Sequence, residues 1–227
     1  MFKKNYRYYD VILAFFASIL LISNLAATKP VAIGPLLVDG GAILFPLIYI
    51  FGDILTEVYG YKYARRAIWT AFAIMLLGVV AFTVVRFLPA ADYYTDQAAF
   101  DAVLGFFPRI VLASLLAYLV GSFVNSYILA KLKVKYVGRK LWLRLISSTF
   151  AGQFLDTAVF GLVAFGGIFT VPDLVKFILI GWLFKTGVEV VMLPVTYRVV
   201  ATLKKREKVD AYDKKTDFTP FKVSVEK

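Results

Sequence analysis

The sequence predicts an all-α membrane protein of six transmembrane helices with both ends on the cytoplasmic side. Three observations carry that prediction. Of 227 residues, 60% are hydrophobic and 18% charged, with a mean hydropathy of +0.75; a soluble domain holds about 45–50% apolar and about 25% charged residues. Six apolar runs are each long enough to cross a hydrocarbon core of about 30 Å, which takes about 20 helical residues. The basic residues then fall in every second connection between those runs. The same composition excludes a disordered chain and a disulfide scaffold. With no Cys and no His, thiolate and imidazole chemistry are absent, so no zinc site, no Cys nucleophile and no Ser-His-Asp triad is possible; separately, no cofactor is expected.

The runs are 10–28, 41–59, 67–88, 109–131, 147–166 and 174–200. The first lacks an A-x-A cleavage site, is followed by further apolar spans and carries Asn24 and Lys29 near its end, so it reads as a retained span and not as a signal peptide. In the last, Pro194 predicts a kink or an early end. Residues 1–203 are expected to form one transmembrane domain. The polar segment 204–227 is too short for a core and is expected to be a partly disordered cytoplasmic tail.

Orientation follows from Lys and Arg. Lys3, Lys4 and Arg7 precede the first run; Lys62, Arg65 and Arg66 lie between the second and third; Lys131, Lys133, Lys135, Arg139, Lys140 and Arg144 lie between the fourth and fifth; Arg198, Lys204, Lys205, Arg206, Lys208 and four further Lys follow the sixth. These are 21 of the 26 cationic residues. The other connections hold Asp39, then Asp92, Asp96 and Asp101, then Asp173. By the positive-inside rule both termini are cytoplasmic. The net charge of +11 is thus a topology signal, and no nucleic-acid partner is expected, because no binding fold or stacking platform accompanies the basic loop 131–144.

Ionisable groups inside apolar spans cost several kcal/mol or need partners, which makes each a functional candidate. Asp53 and Glu57 are spaced i,i+4, so both carboxylates project from one helix face about 6 Å apart along the axis. Like charges so close in low dielectric disfavour double ionisation, which marks the pair as a candidate proton-coupling site; the structural alternative pairs Glu57 with Arg65 or Arg66. Lys185 lies near the bilayer midplane, too deep to snorkel, and needs a carboxylate. Glu189, one turn on, is the expected partner. Thr149, Gln153, Asp156 and Phe160 share a stripe in the fifth run, and an acceptor carboxylate, an amide and an aromatic ring together suit a flat heterocycle bearing N–H donors; interhelical hydrogen-bonding is the alternative there. Gly121-Ser122-Phe123-Val124-Asn125-Ser126 matches Gly152-Gln153-Phe154-Leu155-Asp156-Thr157 in residue class except at Ser122/Gln153. The two runs are antiparallel, a local inverted correspondence that is compatible with a 3+3 inverted repeat of the kind transporters use. Asn24 lies in the outer half of the first run, where interhelical bonding and ligand contact are both open.

The segment Phe45-Pro46-x-x-Tyr49-x-x-x-Asp53-x-x-Thr56-Glu57-Val58-Tyr59-Gly60, followed by Ala64-Arg65-Arg66-x-Ile68-Trp69, resembles the queuosine precursor transporter family, formerly described as vitamin uptake transporters. Ser23-Asn24 through Lys29, Leu143-Arg144 with Ser147-Ser148-Thr149, Gln153-x-x-Asp156-Thr157 through Phe160, and Lys185 with Pro194 add to the resemblance, which covers roughly residues 10–200. It implies a six-helix inner-membrane importer of 7-deazaguanine precursors of queuosine: preQ0, preQ1 or queuine. Many members carry Gln-x-x-Asp in the fourth helix, where this chain has Ser122-Phe-Val-Asn125, a loss of one charge that bears on substrate preference or coupling.

A 7-deazaguanine presents N1–H and an exocyclic amine together, which one carboxylate accepts as it accepts an Arg fork. Its O6 needs a donor such as Lys185, Gln153 or Asn125, and its rings need aromatic faces. The expected substrate-binding set is Asp156, Gln153, Asn125, Lys185, Glu189, Phe160, Phe45, Tyr49 and Asn24; the expected coupling or gating set is Asp53, Glu57, Lys185, Glu189 and Arg144. No G-x-x-x-x-G-K-[ST] segment is present, so transport is expected to be secondary or facilitated. Two rivals are a membrane substrate-binding subunit of an ATP-driven vitamin uptake complex and an intramembrane enzyme using paired carboxylates. The expected partners are the small-molecule base and the lipid bilayer, with a homodimer left open.

Overall fold

The computed structural model describes residues 6–33, 36–105 and 108–221. Among these, seven α-helices follow one another: α1 Tyr9–Ala26, α2 Phe45–Ile54, α3 Tyr61–Phe87, α4 Gln97–Leu104, α5 Pro108–Lys135, α6 Leu141–Phe165 and α7 Val171–Glu207. Five of them, α1, α3, α5, α6 and α7, are long and apolar enough to cross a membrane. Their outward faces carry exposed large hydrophobics, such as Leu77, Val80 and Val84 on α3 and Ile180, Leu183 and Val191 on α7. Such faces suit hydrocarbon and not water.

The run expected at 41–59 departs from a plain span. It opens as a 3-10 turn, Gly40–Ile43, continues as the ten-residue α2 and ends in a π turn, Leu55–Tyr59. From Phe45 to Tyr59 that is about 22 Å of helix at about 1.5 Å per residue. The segment is central instead of peripheral: Ile48, Tyr49, Ile50, Ile54, Leu55, Val58 and Tyr59 are all buried, with α1, α3, α5 and α7 against it. Surrounding helices rather than lipid thus satisfy its apolar surface.

A second departure from the all-α expectation is a short antiparallel hairpin between α1 and α2. Its strands, β1 Pro30–Ile33 and β2 Leu36–Asp39, pair in register from Pro30↔Asp39 to Ile33↔Leu36. Gly40 N–H donates to the Lys29 carbonyl at 2.8 Å and closes its base. The Ser23 hydroxyl, donating to the Gly41 carbonyl at 3.1 Å, ties α1 to the start of the 3-10 turn.

Pro194 does not end α7, which runs 37 residues with that proline inside it. At about 1.5 Å per residue the helix is about 55 Å long, well beyond a hydrocarbon core of about 30 Å. The surplus carries Lys204 and Glu207 to the same end of the molecule as the π turn. There Glu207 accepts hydrogen bonds from the Arg7 and Tyr8 N–H groups at 3.0 and 2.7 Å and from the Tyr59 hydroxyl at 3.0 Å. Tyr6, Tyr9, Tyr59 and Tyr63 pack edge to face beside it.

Beyond α7 the chain does not wander off as a solvated tail; through Phe221 it lies across the start of α3. Asp213 accepts from the Tyr61 N–H at 2.9 Å, so a residue from the far end of the sequence caps the α3 N-terminus. Gly60, at φ +88°, makes the turn into α3, and a Cβ there would stand 3.3 Å from an Asp213 carboxylate oxygen. Arg65 donates to the Asp217 carbonyl at 2.9 Å, Tyr61 hydroxyl to the Phe218 carbonyl at 3.1 Å and Trp69 Nε1 to the Pro220 carbonyl at 2.8 Å. The Phe218 ring sits under Lys131 Nζ, 4.3 Å from its centroid.

Candidate functional site

The buried polar groups form two tiers along the central axis. At the basic end, Glu57 is fully buried on the π turn, and Arg144 of α6 grips its carboxylate with two guanidinium nitrogens, the longer contact being 3.2 Å. Lys204 of α7 adds a contact of 2.5 Å, and Lys133 of α5 lies 3.5 Å away. Lys133 also donates to the Glu57 backbone carbonyl and, with Lys204, pairs with Asp210 from the segment beyond α7. Four elements therefore meet on one carboxylate. Burial works to raise the Asp210 carboxyl, but hydrogen bonds from Lys133 and Lys204 outweigh it and hold the group below the usual carboxylate range.

The pairing of Glu57 with Arg65 or Arg66 considered from spacing is not what forms. Arg65 is turned to the carbonyls of Asp217 and Thr219, and Arg144, from a distant part of the sequence, takes Glu57.

One to two turns further in lies the second tier. Asn125 Nδ2 donates to Asp53 at 2.7 Å. Thr149 Oγ1 and Gln153 Nε2 each donate to Glu189 at 2.6 Å. Lys185 Nζ pairs with Asp156 at 2.9 Å and stands 4.2 Å from the centroid of the Phe45 ring, a cation–π contact. The expected Lys185–Glu189 pair is thereby corrected. A partner one turn along α7 competes with a carboxylate on the facing helix, and Asp156 across the α6–α7 contact wins. Glu189 is left to neutral donors.

The α5–α6 crossing sets this geometry. A Cβ on Gly121 would stand 2.7 Å from Asp156 Cβ and 3.0 Å from the Gly152 carbonyl oxygen; a Cβ on Gly152 would stand 2.8 Å from Asn125 Cβ and 3.0 Å from the Gly121 carbonyl oxygen. The two contacts are reciprocal, each glycine admitting the polar residue four positions beyond the other. Only residues without a Cβ allow so close an approach. Asn125 then meets Asp53 on α2, and Asp156 meets Lys185 on α7.

Several polar atoms in this tier are buried without a hydrogen-bond partner among the described residues: Tyr49 hydroxyl, Asn125 Oδ1, Gln153 Oε1, Thr157 Oγ1 and Thr186 Oγ1. The Tyr49 hydroxyl lies beside Gly121 and close to the Asp156 carboxylate. Tyr49, Gly52, Ser122, Asn125 and Ser126 line a small internal cavity with room for roughly one water. Buried polar groups are rarely left unpaired, so these atoms are candidates for contact with water or a ligand.

Of the substrate-binding set expected from sequence, Asp156, Lys185, Phe45, Tyr49, Asn125, Gln153 and Glu189 come together. Two do not. Asn24 donates to the Leu20 carbonyl at 2.9 Å and accepts from Ser114 at 2.6 Å, a link between α1 and α5. Phe160 packs with Phe165 and Phe177 in an aromatic cluster of α6 and α7. Sequence reasoning passed over Lys133, counted there only as a topology charge. Its signal was periodicity: Ser122, Asn125, Ser126, Leu129 and Lys133 recur at i+3 and i+4 on α5, and all are buried.

A chain with lipid-suited outer faces and a closed polar core fed by four helices is a multi-pass membrane transporter. It belongs to the family described as "Putative vitamin uptake transporter", whose model matches residues 39–199. It is 33% identical over 177 residues to the "Probable queuosine precursor transporter" of Bacillus subtilis (strain 168), covering 77% of each chain. It is 27% identical over 184 residues to the "Queuosine precursor transporter" of Escherichia coli (strain K12), covering 80% of each. A "Probable queuosine precursor transporter" of Haemophilus influenzae is 24% identical over 163 residues, covering 70% of this chain and 67% of the relative. No solved structure matches it.

Proposed function

We propose that this protein imports a 7-deazaguanine precursor of queuosine by secondary or facilitated transport, with Asp156 and Lys185 as the central base contacts. The observation that carries the proposal is the inner tier: a carboxylate paired with an ammonium that lies over the Phe45 ring, with Tyr49 alongside and unpartnered acceptors around them. Asp156 can accept N1–H and the exocyclic amine of the base while Lys185 donates to O6, so a bound base replaces the direct ion pair with hydrogen bonds to both charged groups. Neither Asp53 nor Glu189 forms a salt bridge among the described residues, so the inner tier holds more carboxylate than cation. That excess suits the aminomethyl cation of preQ1 or a coupling proton.

In this reading the 41–59 segment counts as the sixth span. The basic end faces the cytoplasm, the Glu57–Arg144–Lys204 cluster closes that end, and the α5–α6 reciprocity is the centre of an inverted repeat. A lone cysteine at the exposed position Lys208, in a chain that otherwise has none, is expected to react only with membrane-permeant thiol reagents in intact cells. Labelling by an impermeant reagent would reverse the orientation.

The function is tested in cells that cannot synthesise queuosine and lack their own precursor transporter. Expression of this chain is expected to restore queuosine in tRNA when preQ0, preQ1 or queuine is supplied. No restoration with any of the three bases overturns the substrate assignment.

A further inference from the structure

Two carboxylates of the inner tier serve amides and not cations, and their chemistry dictates what those amides can present. An ionised carboxylate only accepts hydrogen bonds, so while Asp53 and Glu189 are ionised an amide facing either must offer its NH2 group and turn its carbonyl oxygen away. Asn125 does so toward Asp53 at 2.7 Å, and Gln153 toward Glu189 at 2.6 Å. The two oxygens so turned away, Asn125 Oδ1 and Gln153 Oε1, are the ones left buried and unpartnered. Asn125 is 2% exposed and Gln153 0%, so water at the surface does not supply the missing bonds. Thr149, donating to the second oxygen of Glu189 at 2.6 Å, pins that carboxylate in place. The Gly121/Gly152 crossing sets Asn125 beside the turn that carries Gln153 and Asp156, and those two residues reach Glu189 and Lys185, one turn apart on α7, so the two amide–carboxylate units and the Asp156–Lys185 pair share one locus.

We infer that Asp53 and Glu189 are positioning residues that hold the Asn125 and Gln153 amides oxygen-outward, making the site a reader of N–H donors and setting its preference for guanine-type over adenine-type bases. This rests on the proposal that a 7-deazapurine binds here and reverses the polarity expected from sequence, where both amides were candidate donors to O6. A guanine-type base offers N1–H, a 2-amino group and N9–H as donors. With N1–H and one 2-amino hydrogen on Asp156, the amide oxygens are left for the second 2-amino hydrogen; an adenine-type base has no 2-amino group, so a carbonyl oxygen fixed there meets no donor. The polarity is set by the partner, not by the amide itself. Glu189→Gln or Asp53→Asn lets the pair form in either sense, so the amide can turn and present NH2.

The test is direct binding to the purified full-length protein of two probes, 7-cyano-7-deazaguanine and 7-cyano-7-deazaadenine. The wild type is expected to prefer the guanine-type probe. Glu189→Gln and Asp53→Asn are each expected to narrow that preference by about tenfold or more, chiefly by gaining the adenine-type probe. Thr149→Val, which leaves the carboxylate but frees one of its oxygens, is expected to narrow it in the same direction by less, and it carries the test if the carboxylate variants do not fold. Merely structural links would weaken both probes alike, so an unchanged preference in every folded variant overturns the inference. A wild type that binds neither probe overturns the base-binding proposal on which it stands, and the inference with it.

Discussion

At the residue scale, the inner tier is governed by the cost of stranded charge. Asp156 is 2% exposed, and the Lys185 side chain 18%. Removing one partner of a buried pair costs about 3–5 kcal/mol, because the other charge is left uncompensated, whereas replacing both with apolar residues of similar size is often neutral. Lys185→Met and Asp156→Leu are therefore each expected to lower unfolding stability in detergent by about that amount. The double variant is expected to recover most of it while transporting nothing. A double variant that still transports would remove the pair from the transport site, and additive losses would show that the two charges do not stabilise each other. The need of Lys185 for a carboxylate was legible in the sequence, since a cation at that depth has few alternatives. Its partner was not. Spacing on one helix points to Glu189, and only the α6–α7 contact brings Asp156 nearer.

At the scale of elements, the sequence periodicity finds the long helices well, because apolar runs of span length admit few other readings. It finds the Gly121/Gly152 correspondence too, and the structure supplies its reason in the reciprocal close approach of α5 and α6. What periodicity does not show is the π turn at Leu55–Tyr59, the hairpin over 30–39 or the packed segment beyond α7. Each depends on partners remote in sequence. Polar composition after residue 203 reads as solvated tail, yet Asp210 and Asp213 find their cations and backbone donors on α5, α7 and α3. Asp213→Ala removes the α3 cap and is expected to cost about 1 kcal/mol in thermal unfolding, with Asp213→Asn recovering part of it. No change in either variant would mean that this segment does not stabilise α3. Asp210 contributes in a definite pH window. Its folded carboxyl is held below its ordinary value, so its contribution is complete above the ordinary carboxylate range and is lost as pH falls through the lowered folded value. Asp210→Asn is expected to be less stable than wild type at neutral pH, with the gap closing in acid; a gap that widens in acid would reverse the sign.

At the scale of the whole molecule, the net charge of +11 and the apolar composition separate cleanly. The cations gather at the end where α3 and α6 begin and α5 and α7 finish, and the opposite end carries the Arg86–Asp101 pair at 2.9 Å and Asp173. Between the ends, the polar groups converge from α2, α5, α6 and α7 on one axis, divided into a cation-rich tier at Glu57 and a carboxylate-rich tier at Asp53, Asp156 and Glu189. The proposed working cycle needs the second tier to take a base while the first opens and closes, with no energy source inside the chain. The most direct test is uptake of labelled preQ0 and preQ1 into ATP-free liposomes holding only the purified protein. Saturable uptake of at least one base is predicted, lost in Asp156→Asn protein that is equally folded and equally inserted. Uptake unchanged in that variant, or none by the wild type in either direction of gradient, would contradict the proposal.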